Sequence, residues 1–377
     1  MKKFIALLLS LVICLTFVAC GETKSSDKDS DKKDKDSTKE KVTYVADADE
    51  DRNDDSYNDN IVNAADKFFD TKTSEIASGE TVTNDKCEFT VDYVEFSKDV
   101  MPPNPDSWYS HYVPGNGKVY VDFCIAYKNL ETSNVSADDT ISGTLIFNGK
   151  YEYTGFSIVE ENNRSDLTYS SITSIAPLTT LYIHYLFEVP DEVQSSGGNV
   201  TLKMTIGDVD YKYVVCKGSG KVTVNSNAQT NKKSGAVSVD EIVGTKNSEF
   251  NIDYVNITND VKPINPDDWY SHYEADSGNT YVDICFAYKN MSEKSVAADD
   301  VISAKLKYDG KYEYTGFSMI EEKDRSDFTY SSITSIKPLT TEYVHYLFEV
   351  PQEVADSGKS VVITFTIDGN TYTYRVQ

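Results

Sequence analysis

The side chains best suited to chemistry are few, and they come in pairs. His111 and His184 return as His272 and His345, and Cys124 returns as Cys285. Glu160-Glu161 with Arg164 and Asp166 returns as Glu321-Glu322 with Arg325 and Asp327. Imidazoles beside Asp106, Asp122 or Cys124 are donors a metal site could use. Two His per unit with no short ligand spacing fall below a zinc signature, so a structural role with no metal and no cofactor is expected. A glycosidase would need two carboxyls in a cleft, one with a raised pKa, and a solvated acidic loop does not supply that. Arg occurs only four times, so its placement predicts a fork-shaped ion pair pinning the loop, Arg164 with Asp166 and Arg325 with Asp327. Asp138-Asp139 and Asp299-Asp300 lack the ligand comb of an EF-hand. No nucleophile–base–orienter set is visible, and the chain reads as a non-enzyme.

A second constellation suits contact. Asn104 to Tyr112 concentrates Trp108, Tyr109, His111 and Tyr112, and the second copy supplies Trp269, Tyr270, His272 and Tyr273. Exposed Trp and Tyr rings stack on sugars or fill partner pockets. The same rings could instead plug one end of a small domain.

These pairs exist because the chain is duplicated. Glu88–Val215 aligns with Glu249–Val376 at a constant offset of 161 residues without a gap, with 76 of 128 positions identical. From Gly149 to Val193, 36 of 45 positions match, in runs that include both faces of any strand. Either an outward face is constrained there as well as the core, or drift has not reached the stretch.

The strand grammar is dense. Phe89, Val91 and Tyr93 alternate with polar residues, as do Phe250, Ile252 and Tyr254. Val121, Phe123, Ile125 and Tyr127 share one face of a strand, and so do Ile183, Tyr185, Phe187 and Val189. His184, between Tyr182 and Leu186 in that alternation, falls on the other, half-covered face. Asn148-Gly149, Asp309-Gly310, Gly207-Asp208 and Asp368-Gly369 mark hairpin turns. Short strands without a sustained helical period predict an all-β protein of two tandem antiparallel β-sandwiches, residues 79–216 and 240–377, joined by a linker at 217–239.

The formal net charge is −25, and each repeat carries about −11 of it. Such a surface repels polyanions, so no nucleic-acid partner is expected.

Met1-Lys2-Lys3 precedes an apolar stretch, Phe4–Ala19, and then Phe17-Val18-Ala19-Cys20-Gly21. This resembles the lipobox of bacterial lipoproteins, which implies a signal peptide at 1–19 and a lipid on Cys20. The apolar stretch of sixteen residues, interrupted by Ser10 and Thr16, falls short of the roughly 20 that span a bilayer. Residues 20–78, dense in Ser, Asp and Lys, read as a disordered acidic tether reaching about 40 Å from the lipid.

Gly79-Glu80-Thr81-Val82 opens the first unit, followed by the strand ending Tyr127-Lys128-Asn129, an Asn-Gly-Lys turn, and Pro177 ahead of Phe187-Glu188-Val189-Pro190. This order is similar to the immunoglobulin-like domain of bacterial surface lipoproteins of the immunoprotective-extracellular-antigen type. The resemblance covers each repeat nearly end to end. It implies a non-enzymatic extracytoplasmic module and carries no ligand or catalytic residues with it. Leu178 and Leu339 stand where a Gly commonly follows the Pro, and the second unit opens with Asp240-Glu241 without the Gly.

Cys87 and Cys216 bracket the first unit and are both missing from the second. A bridge between first and last strands is one reading, and two unrelated edge thiols the other. Cys124 and Cys285 read as small buried hydrophobes. The expected function is a lipoprotein anchored on the outer face of the bacterial cytoplasmic membrane, binding a surface glycan or protein through two similar sites. The alternative is a spacer lipoprotein with no specific ligand.

Overall fold

The computed structural model describes residues 67–70, 72–105, 107–161, 163–218, 226–322 and 324–377. The expected signal peptide, Cys20 and the tether up to residue 66 lie outside the described residues. Among the described residues no helix is long and apolar enough to cross a membrane.

Each repeat folds as two facing sheets around its own apolar core. In the first repeat a five-stranded sheet runs in the order Ser74–Ile76, Val209–Cys216, Val200–Ile206, Ile141–Phe147, Tyr151–Thr154. Opposite it lies a six-stranded sheet ordered Thr81–Thr83, Cys87–Ser97, Lys118–Asn129, Thr180–Pro190, Phe156–Glu161, Asp166–Tyr169. The second repeat has the same order, with Ser248–Thr258, Asn279–Asn290, Thr341–Pro351 and Phe317–Glu322 in the middle of its larger sheet. All-β architecture with antiparallel sheets is what the alternation called for. Ser74–Ile76 and Ser234–Ala236 are additions: they pair in parallel with the last strands and lie inside stretches expected to be tether and linker.

The period-two pattern sorts the side chains as expected along the long strands. Val121, Phe123, Ile125 and Tyr127 meet Ile183, Phe187 and Val189 in the first core, at zero or near-zero exposure. Asn148-Gly149 and Gly207-Asp208 take positive φ at both positions, as their hairpins require. Gly155 is where the chain leaves one sheet for the other. A Cβ there would sit 2.3 Å from the Leu186 carbonyl oxygen, so only glycine fits the crossing.

One strand departs from the alternation. A β-bulge between Val91 and Tyr93 reverses the parity of everything after it, and the second copy has the same bulge between Ile252 and Tyr254. Tyr93 and Tyr254 therefore do not join Phe89 and Val91 in the core. They face outward, opposite Cys124 and Cys285, while Val94 and Phe96 turn inward.

The two sandwiches belong to one compact unit. The Glu152 N–H donates to the Glu293 carbonyl at 2.8 Å, and the buried Tyr153 hydroxyl to the Pro338 carbonyl at 3.1 Å. Lys337 reaches Glu188 at 3.1 Å and Lys118 reaches Glu342 at 3.2 Å. Leu339, from the second repeat, packs into the first repeat's core.

Leu178 and Leu339 share an uncommon backbone, at φ 61° and 58°. A side chain in the left-handed region costs about 1–2 kcal/mol, which is why glycine suits the position. Leu339 is 4% exposed and its burial offsets that cost, whereas Leu178 is 70% exposed and gains little. Leu178→Gly is therefore expected to stabilise by roughly 0.5–1 kcal/mol after the extra unfolded-state entropy of glycine is deducted. Leu339→Gly is expected to destabilise, because about 1.5–3 kcal/mol of side-chain burial is lost. Urea denaturation of both variants tests this, and shifts of the same sign would refute it.

Candidate functional site

The aromatic loop crosses the outer face of the larger sheet and closes over it. Val100 and Tyr112 form a β-bridge across its base, and the second copy pairs Asp260–Val261 with Tyr273–Glu274. Tyr112 packs on a small outer core of Val100, Tyr120, Ile158, Leu167 and Leu186. Tyr273 does the same over Val261, Tyr281, Met319, Phe328 and Leu347. These two tyrosines are thus half-buried supports and not free contact residues.

The remainder of the loop is tied at several points. The Ser110 N–H donates to Asp166 Oδ1 at 2.7 Å, and Ser271 donates to Asp327 at 2.7 Å. These contacts, with those from Leu167 and Phe328, hold the two aspartates in place. His111 meets Asp99 at 2.7 Å, His272 meets Asp260 at 2.7 Å, and each ring lies edge-on to Tyr109 or Tyr270. Asn104 and Asn265 donate their N–H to the carbonyls of Arg164 and Arg325. Between these ties Trp108 and Trp269 are left 92% and 91% exposed. They do not plug the sandwich.

The long run of matching residues includes side chains that face outward. Tyr169 and Ile172, with their equivalents Tyr330 and Ile333, are exposed apolar side chains inside that run. Tyr330 lies beside Tyr273 at the foot of the Trp loop. The recurrence of these exposed side chains fits a constrained outward face and equally a stretch that drift has not reached.

The arginines do not pair with the expected aspartates. Asp166 and Asp327 are spent on backbone N–H groups. Arg164 instead binds Glu160 through Nε and Asp92 at 2.9 Å, and lies 3.6 Å from the centroid of the Tyr182 ring. Arg325 repeats this with Glu321, Asp253 at 2.8 Å and Tyr343 at 3.7 Å. Asp92 and Asp253 are the bulge residues, aimed at the guanidinium by the extra residue in the strand.

Behind the arginine lies a polar cluster that sequence spacing did not reveal. His184 is fully buried between Asp122, 2.9 Å from Nδ1, and Glu160, 3.0 Å from Nε2. Carboxylates only accept, so the ring in this arrangement carries both protons. Burial opposes that charge, but Asp122, Cys124 and Glu160 outweigh it and raise the His184 pKa well above its ordinary value. Burial likewise pushes Glu160 up, and the contacts with His184 and Arg164 more than reverse it, holding the carboxyl below its usual range. Tyr93 donates to Asp122 at 3.2 Å. In the second repeat Asp283 lies 2.9 Å from His345 Nδ1, while Nε2 is 3.6 Å from Glu321 and has no hydrogen-bond partner.

Cys124 Sγ is 3.8 Å from His184 Nε2, and Asp122 orients the far side of the ring. That order of groups matches a nucleophile, base and orienter. The sulfur is fully buried, however, and burial raises the thiol pKa, so no substrate carbon can reach a thiolate there. Cys87 and Cys216 are both free. Cys87 lies beside Gly207 at one end of the last hairpin, whereas Cys216 donates to the Gly198 carbonyl at the other, beyond any bridging distance.

A polar cleft of about 640 Å³ lies where the sandwiches meet, lined by Lys118, Glu188, Arg325, Lys337, Glu342 and Tyr343 among others.

No protein-family model and no curated protein matches the chain. Among solved structures, a β-sandwich protein from Clostridium difficile 630 is 31% identical over a match spanning 41% of this chain and 100% of its own, with a TM-score of 0.37. A conserved hypothetical protein from Bacillus anthracis is 15% identical, over 38% of this chain and 99% of its own, with a TM-score of 0.26. The chain is similar to β-sandwich protein of bacterial origin.

Proposed function

We propose that this is a bacterial surface lipoprotein of the immunoprotective-antigen type, anchored through Cys20 outside the cytoplasmic membrane and acting by contact without catalysis. Trp108 and Trp269 are its principal contact residues, with Tyr109, His111, Tyr270 and His272 beside them on the same loops. The ligand is a neutral or cationic glycan or protein surface, since a chain of formal charge −25 disfavours an anionic one. The observation that carries this reading is the exposure of both indoles at the tips of loops whose backbones are fixed. An exposed ring on a rigid loop loses little entropy on binding, which is the economy of a preorganised anchor. A spacer without a ligand has no need of two such rings.

A glycan array and a cell-wall pull-down with the full-length protein test the reading, alongside Trp108→Ala/Trp269→Ala. Each hot-spot aromatic contributes about 2 kcal/mol or more, so affinity should fall at least about 30-fold per site. Stability should stay within about 0.5 kcal/mol, because neither ring packs on anything. Undiminished binding, or unfolding of the double variant, would sink the proposal. The anchor is tested separately by mass spectrometry of membrane-extracted protein, which should show a diacylglycerol-modified Cys20 as the first residue. An unmodified Cys20 would remove it.

A further inference from the structure

We propose that each repeat binds one zinc ion in its outer core, through His184, Cys124 and Glu160 in the first and His345, Cys285 and Glu321 in the second. In both sets the sulfur, the imidazole nitrogen and a carboxylate oxygen lie within 4.8 Å of one another, and all six residues are buried. Three neighbouring strands supply them: Lys118–Asn129 the sulfur, Thr180–Pro190 the imidazole and Phe156–Glu161 the carboxylate, with their counterparts in the second repeat.

Three features favour a metal over a purely protonic cluster. The first is His345 Nε2, a buried nitrogen with no hydrogen-bond partner, aimed between Glu321 and Cys285. Its 3.6 Å separation from Glu321 Oε1 is long for a hydrogen bond. It is close to the roughly 3.4 Å that separates a nitrogen and an oxygen on one tetrahedral zinc, whereas the 3.0 Å hydrogen bond between His184 Nε2 and Glu160 Oε1 in the first repeat must open by about 0.4 Å to admit the ion. Likewise, 3.8 Å between His184 Nε2 and Cys124 Sγ is near the roughly 3.6 Å expected across such an ion. The second feature is the carboxylate on the far nitrogen. Asp122 and Asp283 each hold Nδ1 at 2.9 Å, the outer-shell arrangement that fixes the tautomer and directs Nε2 to a metal. The third is selective repetition. Cys124 and Cys285 are equivalents, whereas Cys87 and Cys216 have no counterparts.

The donor chemistry chooses the ion. A thiolate, an imidazole and one carboxylate suit zinc and are foreign to calcium or magnesium. Charge permits the exchange as well. Loading removes one proton from the imidazole and one from the thiol, so one dication replaces two protons and the enclosed charge is unchanged. Nothing is oxidised or reduced. Arg164 and Arg325 bond Glu160 and Glu321 through Nε at Oε2. The Oε1 atoms turned to the imidazoles each accept one further N–H, from Arg164 at 3.1 Å and from Ile264 at 3.0 Å, and Arg325 also lies 3.8 Å from Cys285 Sγ, so the ion would use the remaining lone pairs.

Full-length protein produced in cobalt- or zinc-supplemented medium and purified without chelator provides the test. Two ions per chain and, with cobalt, a near-ultraviolet thiolate charge-transfer band are expected. Cys124→Ala and Cys285→Ala should each remove half of the band, and the pair all of it. His272→Ala should leave the band intact, because the exposed trio Asp260, His272 and Glu274 has no sulfur to give it. Folded wild-type protein without the band, metal held without the band, or a band that survives the double Cys variant would each overturn the proposal. The wild-type spectrum decides the matter even where a Cys variant does not fold.

Discussion

Glu160→Ala is expected to destabilise the first sandwich by about 3–5 kcal/mol, the largest effect of any single carboxylate in the repeat. Glu160 stands at the centre of a chain of charges running Asp122, His184, Glu160, Arg164, Asp92, and its side chain is 1% exposed. Removing it leaves a buried imidazolium facing a void and frees Arg164 from its principal partner. The imidazole must then lose its proton or remain charged without compensation, and both cost free energy. Glu313→Ala gives the contrast. Glu313 pairs with a cation too, Lys305, but both are open to solvent and the pair should not shift the melting curve measurably. Thermal and urea denaturation of the two variants compare them directly. A midpoint for Glu160→Ala that implies less than about 1 kcal/mol would mean that the cluster is not a cooperative unit. Glu160→Ala combined with His184→Ala should cost less than the sum of the two, since each removal already spoils what the other would lose.

How much of this was legible depends on whether the information was local. Strands, hairpin turns and inward faces could be read because alternation and Asn-Gly or Asp-Gly pairs are contained within a few residues. Ser74–Ile76 and Ser234–Ala236 could not, because three residues do not display a period. Tyr93 and Tyr254 were placed on the wrong face because a bulge adds a residue without changing the apparent pattern. The Leu in place of Gly after Pro177 and Pro338 was visible, but its meaning was not. Positive φ and the docking of Leu339 in the other sandwich are tertiary facts.

The candidate sites show the same division. His184 could be assigned to the face opposite the core, yet only Tyr93, Glu160 and Arg164, brought over that face from other strands and a loop, make it buried. Asp122 and Cys124, two apart on one strand, share that face by simple alternation. Glu160 and His184 arrive from other strands, so no ligand spacing in the sequence could announce the set. Trp108 lies in a Pro-rich loop without periodicity, where sequence gives the ring but not its exposure. The Arg164 partner was misassigned for a related reason. Asp166 is nearer in sequence than Asp92, but it serves the Ser110 N–H, and the bulge delivers Asp92 from 72 residues away.

With metal removed by chelator, stability is expected to be greatest between about pH 4.5 and 6.5 and to fall on both sides. His184 and His345 govern the alkaline limb. Their folded pKa values are raised, by Asp122 in the first and by Cys285 and Asp283 in the second, against the opposing effect of burial. A raised histidine contributes fully below its unfolded value of about 6.5, and the contribution is lost as pH climbs through the folded value. Glu160 and Glu321 govern the acid limb. Burial raises them, but His and Arg contacts leave both lowered, so they contribute above the unfolded value of about 4.5 and lose it as pH falls through the folded one. Glu188 acts in the same direction at the junction of the sandwiches, where burial is outweighed by Lys337 and Lys118. Melting temperature measured from pH 3 to pH 10 at constant ionic strength should trace this dome. His184→Gln/His345→Gln should flatten the alkaline limb and leave the acid limb in place, although its stability is lower throughout. An alkaline limb of unchanged slope in that variant would show that the imidazoles are neutral in the folded chain and that the charge chain stops at glutamate and arginine.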